Sequence, residues 1–394
     1  MSEPAGSAKS ASWAKSAHSA HSAHSAYSAY SVGVEEEFHV VDRGTGELRA
    51  AGAAVVGGAQ AAADGEVEAE LQRSQVETGT PPVRHLADVR SELIRLRREV
   101  GAAAAEVGCA LAASGTFPSA YRPAQVFTDS PRYQAIGDRF GVVARQQTVC
   151  GCHVHVGVED QELAIAVLNR VRPWLPVLLA ISANSPFWAG EDTDYASYRS
   201  QVWSRWPTAG TPGVFESRAE YDALGETLIR SGVVLDEGMF YFDVRPSARY
   251  RTLEFRVADV SLDVDGAVLL AGLIRALVAT CAEAGRREAP YDRVRPELLR
   301  VATWRAARSG LTGDLVDLTR GHPVAAAELV TSMLEELRPA LAAHGDEAEV
   351  ERLLGSVRRR GTGAERQRAA YRRRESLADV IELILAETAG SAGS

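Results

Sequence analysis

The chain has 394 residues, 46% hydrophobic and 24% charged, with a formal net charge of -9. This composition suits a globular protein of one large domain or two smaller ones. The acidic balance argues against nucleic acid as a main partner. No apolar run reads as long and charge-free enough to span a membrane.

Cys109, Cys150, Cys152 and Cys281 do not read as a disulfide framework in a chain this long. No apolar signal core follows Met1, so a cytoplasmic location is expected. The only lysines are Lys9 and Lys15. That excludes a Walker P-loop, a kinase-type strand lysine and a pyridoxal Schiff base from the rest of the chain. If phosphate is handled, arginine and metal must do it.

Residues 1–31 read as a low-complexity tail, with Ser-Ala-His and Ser-Ala-Tyr repeats between Ser16 and Tyr30. A single catalytic domain is expected over 32–389, with a flexible end at 390–394. The first patterned stretch is Gly33-Val34-Glu35-Glu36-Glu37-Phe38-His39-Val40-Val41. As a strand it places Glu35, Glu37 and His39 on one face and Val34, Glu36, Phe38 and Val40 on the other. Adjacent carboxylates repel, and a hard divalent cation would relieve them.

Glu70 to Glu77 reads as a strand with Gln75 and Glu77 on one side, closed by Thr78-Gly79-Thr80-Pro81-Pro82. Leu86, Val89, Leu93, Leu96 and Val100 mark a helix expected to run on to Ala113. Thr148 to Val158 alternates again. Cys150, Cys152, Val154 and Val156 form an apolar face, and Gly151 leaves room beside His153 and His155 on the other.

Gln161 to Ile181 reads as a helix kinked or broken at Pro173 and Pro176. The aromatic, arginine-bearing span that follows includes Tyr198, Arg199, Trp203 and Trp206 and has the composition of a pocket wall. Tyr241–Pro246 and Thr252–Val257 read as a hairpin with Asp243/Arg245 and Glu254/Arg256 on its polar face. Helices are expected over Val264–Ala284, Pro296–Ser309 and Val324–Ala343, and around Leu377–Leu385 with Ser376 as N-cap. Between the last two, Gly361-Thr362-Gly363-Ala364 with Arg366 and Arg368 reads either as a phosphate loop or as a solvated helix end.

Five strands thus share one format, each apolar on one face and polar at i, i+2 on the other. This predicts an α+β fold: one mostly antiparallel, curved sheet, helices on its apolar face, an active site on the other. Four glutamates and a histidine there would suit Mg²⁺ or Mn²⁺, and Arg245 and Arg256 would suit phosphate or a carboxylate. Metal with arginine fits phosphoryl transfer. Two other readings stand beside it: a zinc hydrolase using His153 and His155, and a non-catalytic binding protein.

The motifs Gly33–Phe38, Ser74–Glu77, Gly151–Gly157, Asn184–Trp188, Arg251–Arg256 and Gly361–Ala364 together resemble the glutamate–cysteine ligase type 2 family, and within it the YbdK-type carboxylate–amine ligases. The resemblance implies a glutamine-synthetase-like sheet, ATP with Mg²⁺, phosphorylation of a carboxylate, and amide formation with an amine, classically glutamate and cysteine. It implies metal ligands at Glu35, Glu37, Glu77, His153 and Glu254, with Arg256, Glu254 and His153 catalytic. Nucleotide contacts are expected at Arg245, Arg366 and Arg368, and substrate contacts at His155, Arg199 and Tyr241. Expected partners are a small-molecule carboxylate and amine and, in assembly, a second copy of the chain. Phe117 departs from the Gly-Thr-His-Pro pattern of that branch.

Overall fold

The computed structural model describes residues 30–63, 67–119 and 127–390. Most of the repeat tail and the C-terminal end from 391 therefore lie outside the described residues. The central feature is a seven-stranded sheet: β1 Val32–Asp42, β2 Val67–Ala69, β3 Gln75–Gly79, β4 Cys109–Ala112, β5 Gly151–Gly157, β6 Val244–Pro246 and β7 Thr252–Asp259. The strand order is β2-β3-β1-β5-β7-β6, with β4 also paired to β1, and all these pairings are antiparallel.

Alternation sorts the two faces. Val34, Cys152, Val154, Val156, Leu253 and Phe255 are buried against helices 86–106, 161–171 and 264–286 in the largest apolar cluster. Burying that face is the main driving force available to such a layered fold. All four cysteines are buried free thiols. Helix 264–286 and the run 161–182 are in fact long and apolar enough to cross a membrane, contrary to the sequence reading. Their apolar windows are 78% buried inside the protein, which explains their hydropathy as core packing.

The structure departs from the expectations at four places, the first being the strand expected over Tyr241–Pro246, which begins only at Val244. Helix Leu86–Glu106 stops early, because Gly108 takes a left-handed turn (φ +73°) and Cys109–Ala112 becomes β4. Gly supplies that conformation at no steric cost. Residues 70–74 form a bend, so the strand expected from Glu70 begins only at Gln75. Helix Ala326–His344 starts late, since His322–Ala325 pairs with Asp314–Asp317 in a small hairpin.

The proline break in 161–182 is a single 3-10 turn at Arg172–Trp174. Ser376 sits at the start of helix Leu377–Gly390, its hydroxyl 3.4 Å from the Asp379 amide. Phe117 is buried in an apolar cluster, its ring edge-on to His39 at 5.5 Å.

Candidate active site

The register of the sheet assembles the site. Glu37 lies opposite Glu77 across β1/β3, Glu35 opposite His153 across β1/β5, and His155 opposite Glu254, itself opposite Arg245, across β5/β7/β6. Directly opposed residues in an antiparallel pair share a face. The polar sets of five strands therefore converge on one pocket of about 380 Å³.

Glu35 is the hub. Its Oε2 lies 3.3 Å from His153 Nδ1 and its Oε1 3.2 Å from His155 Nε2. His153 stands between the carboxylates, with Nδ1 3.7 Å from Glu77 Oε1 and Nε2 3.7 Å from Glu37 Oε1. That Nε2 is buried and makes no hydrogen bond among the described residues. Gly151 donates its backbone N–H to Glu37 at 2.5 Å. A Cβ at Gly151 would collide with Arg199 Nη2 and crowd His153, so the glycine is what lets the three meet.

Glu254 is held differently. Arg245 binds it bidentately, Nε to Oε2 at 2.8 Å and Nη2 to Oε1 at 3.1 Å, and Arg256 donates to the same Oε1. This is a buried cluster rather than an exposed surface pair. Arg256 and Arg199 both lie over the Trp203 ring, each 5.5 Å from its centroid. Tyr241 packs between Trp203 and Trp206, at 5.0 and 5.1 Å, and completes an aromatic wall.

The charges are unbalanced. Arg249 pairs with Glu68 and Arg132 with Asp236, which leaves Glu35, Glu37, Glu70, Glu77 and Glu254 on the pocket against Arg245 and Arg256. Burial and the nearby Glu70 raise Glu37 to about 7. Burial, then Glu35, Glu70 and Glu37, push Glu77 well above the usual range. Burial also opposes ionisation of Glu35, but His155 and His153 hold it well below its ordinary value. Glu254 is held low against burial by Arg245 and Arg256. Burial and the Arg256 charge lower His153 to about 4, leaving a neutral imidazole.

Two ligand sets have their donor atoms within 4.8 Å of one another: Glu35–His153–Glu254 and Glu37–Glu77–His153. The oxygen-dominated donors, the repelling carboxylates and the orphaned His153 nitrogen fit a hard divalent cation. Neither set contains both histidines. The pair expected for a zinc hydrolase is not brought onto one metal position among the described residues.

Three expected residues fall elsewhere: Arg199 lines a neighbouring cavity behind Trp203 rather than the glutamate pocket, and the other two lie on helix Gly363–Arg374. Arg366 is tied to Asp263 and Glu387, and Arg368 to Asp192 and the Tyr195 carbonyl. Neither lines the glutamate pocket. The Gly361–Ala364 loop spends its own polar groups on the protein. Thr362 and Glu365 form a reciprocal capping box, and the Ala364 N–H donates to the Ala183 carbonyl. Helix capping and long-range ion pairs explain this arginine-rich segment.

Two contributors escape a reading by strict alternation, and one expected polar-face residue leaves the pocket. Glu70 reaches the pocket from the bend before β3. Asp259 faces Gly151, because β7 sets two residues, Arg256 and Val257, against His153 in a bulge and so reverses the parity beyond it. Its carboxylate accepts from Ser185 Oγ, Ser197 Oγ and the Asn184 N–H, and so anchors the segment carrying Arg199. Asp243 is buried at the end of β6 rather than on the pocket face.

The family model for glutamate–cysteine ligase family 2 matches residues 31–383. The chain belongs to this family. It is 50% identical over 372 residues to the Frankia alni protein named "Putative glutamate--cysteine ligase 2-2", covering 91% of this chain and 97% of that one. A Mycolicibacterium vanbaalenii protein of the same name is 46% identical over 358 residues, covering 91% and 98%.

Among solved structures, a Francisella tularensis glutamate–cysteine ligase in complex with AMP matches with TM-score 0.65 at 14% identity, covering 93% of this chain and 90% of that chain. A bifunctional glutathione synthetase from Pasteurella multocida matches with TM-score 0.67 at 18% identity, where the chain spans 92% of itself and 52% of that chain. These likenesses establish the glutamine-synthetase-like α+β fold. Membership makes the protein a carboxylate–amine ligase, a carbon–nitrogen bond-forming enzyme.

Proposed function

We propose that the protein is an ATP-dependent ligase that activates a small carboxylate as its acyl phosphate and joins it to an amine, with glutamate and cysteine as the first pair to test. The carrying observation is the convergence of Glu35, Glu37, Glu77, Glu254 and His153 with Arg245 and Arg256 in one pocket. In this reaction a carboxylate oxygen displaces ADP from the γ-phosphorus. The amine nitrogen then forms the C–N bond as the C–O bond to phosphate breaks and a proton leaves.

Glu35, Glu37, Glu77 and His153 would hold Mg²⁺ or Mn²⁺, with Glu254 contributing the lone-pair direction its two arginines leave free. The cation would neutralise polyphosphate charge. Arg256, kept ionised and aimed by Glu254 and Trp203, meets the transferring phosphoryl group. Arg245 fixes Glu254 and donates to the Phe240 carbonyl at 2.9 Å, so its contribution to nucleotide binding acts through orientation. His155, tied to Thr252 at 2.9 Å, and Tyr241 would contact substrate, while Arg199 supports the wall behind Trp203. Arg366 and Arg368 have no part in this assignment.

The test is ADP release from Mg²⁺-ATP across pairs of amino acids. Glu35→Gln and Glu254→Gln should each abolish release by the active pair with circular dichroism unchanged. Full activity in both variants would refute the assignment.

A further inference from the structure

A second cavity, of about 610 Å³, lies on the other side of the Trp203–Trp206 wall. Its sides come from helix Pro296–Ser309, the segment around Arg199 to Thr211, and the end of β6. Its chemistry is unlike that of the glutamate pocket. Among the described residues, one carboxylate, Asp243, faces it with three arginines, Arg199, Arg205 and Arg300.

Asp243 is only 7% exposed, yet among the described residues it has no cationic hydrogen-bond partner. Its carboxylate accepts one hydrogen bond among the described residues, from Thr211 Oγ1 at 3.0 Å. Burial raises it to about 6 against the Thr211 hydrogen bond and the Arg199 charge, so near neutral pH it is largely a buried anion, and it forms no salt bridge among the described residues. Buried carboxylates of this kind normally find a counter-charge. Arg205 is occupied by the Gln146 side chain and Arg199 by the Arg256 carbonyl. Arg300, on the exposed face of its helix, has the Glu297 carboxylate as an electrostatic neighbour but no close ion pair among the described residues.

Two further polar atoms lack partners. Arg199 Nε and Trp206 Nε1 are both buried and unbonded among the described residues, and both residues line the cavity. Trp304, 47% exposed, adds an indole at the same cavity. The cavity thus offers an unpaired anion, an unpaired cation and indole surface, the complement of an ammonium, a carboxylate and a side chain.

We propose that this cavity binds a free α-amino acid as a zwitterion, its ammonium on Asp243 and its carboxylate on Arg300. The site is distinct from the glutamate pocket but shares Trp203 and Trp206 with it. Trp203 also carries Arg256, so the two cavities meet at this ring.

Three of the six tryptophans line this cavity, so intrinsic fluorescence reports binding directly. The experiment titrates the intact protein with each of the common L-amino acids, then with the N-acetyl and carboxamide derivatives of any that bind. At least one amino acid should saturate the signal, and each capped derivative should bind at least about tenfold more weakly. Asp243→Asn and Arg300→Ala should each raise Kd by about tenfold. Binding should persist in Glu254→Gln, which disrupts the other pocket.

No saturable change with any amino acid, or a Kd untouched by both Asp243→Asn and Arg300→Ala, would overturn the assignment. Steady-state kinetics separates the two sources of such a ligand. An amine substrate would show a higher KM with unchanged kcat in Arg300→Ala, whereas an effector would bind without being consumed.

Discussion

Glu36 and Arg97 form an ion pair with both side chains out of water, on the face of β1 opposite the glutamate pocket. Arg97 also donates to the Ser261 carbonyl at 2.8 Å and so ties helix Leu86–Glu106 to the chain leaving β7. Alternation alone suggests Glu36 as an inert control for its neighbours. Its partner shows instead that it is structural.

Removing one member of a buried pair strands the other charge, at a loss of about 3–5 kcal/mol. Glu36→Gln should therefore lower unfolding stability by an amount approaching that range. Glu36→Gln/Arg97→Met should recover part of it. Urea denaturation of the three proteins measures this, and a single variant as stable as the wild type would show that the pair contributes nothing.

Until a cation enters, the glutamate pocket should be strained, with Glu37 and Glu77 forced to hold protons that the unfolded chain would release. Glu77→Gln removes one of the repelling carboxylates, so the melting temperature in EDTA should rise relative to wild type. Mg²⁺ should stabilise the wild type, by about 2.7 kcal/mol at a hundredfold excess over Kd, and stabilise Glu77→Gln much less. Differential scanning fluorimetry with and without Mg²⁺ reads both effects, and equal Mg²⁺ shifts in the two proteins would contradict the ligand set.

Asp243 sets a pH dependence of stability. Its carboxyl is raised to about 6 in the folded protein from an ordinary 3.8, so between these values the native state holds more protons than the unfolded chain. Stability then falls as pH rises from about 4 to about 6 and stays lower above that, by an amount on the order of 2–3 kcal/mol. Asp243→Asn should remove the penalty. Its stability advantage should be near zero at pH 4 and largest at pH 7–8. An advantage independent of pH would mean that Asp243 has another partner.

Arg256 lies over Trp203 and donates to Glu254. Lysine keeps the charge but loses the planar fork. Arg256→Lys should lower kcat for ADP release by about 100-fold, the scale seen when one transition-state donor is lost. It should leave the melting temperature within a few degrees of wild type.

The site was legible where chemistry follows the two-residue period of a strand. Glu35, Glu37, Glu77, His153, His155 and Glu254 share a face for that reason alone, and so do Cys152 and Val154 in the core. Periodicity fails where the chain is irregular. Glu70 comes from a bend, and Asp259 changes face because of the bulge after Phe255.

It also fails where partners are distant. Nothing local to Arg366 announces Asp263 or Glu387, and nothing near Glu36 announces Arg97. Cys109–Ala112 suits a helix or a strand equally by composition, and pairing with β1 decided it.

The most direct test of the central claim is calorimetric titration of a non-hydrolysable ATP analogue into the protein, with Mg²⁺ or with EDTA. The wild type should bind the analogue at one site with Mg²⁺ and at least about tenfold more weakly in EDTA. Glu35→Gln and Glu77→Gln should abolish that difference while remaining folded. Binding that is unchanged by EDTA and by both substitutions, or stoichiometric zinc surviving dialysis, would contradict a magnesium–nucleotide site on this face.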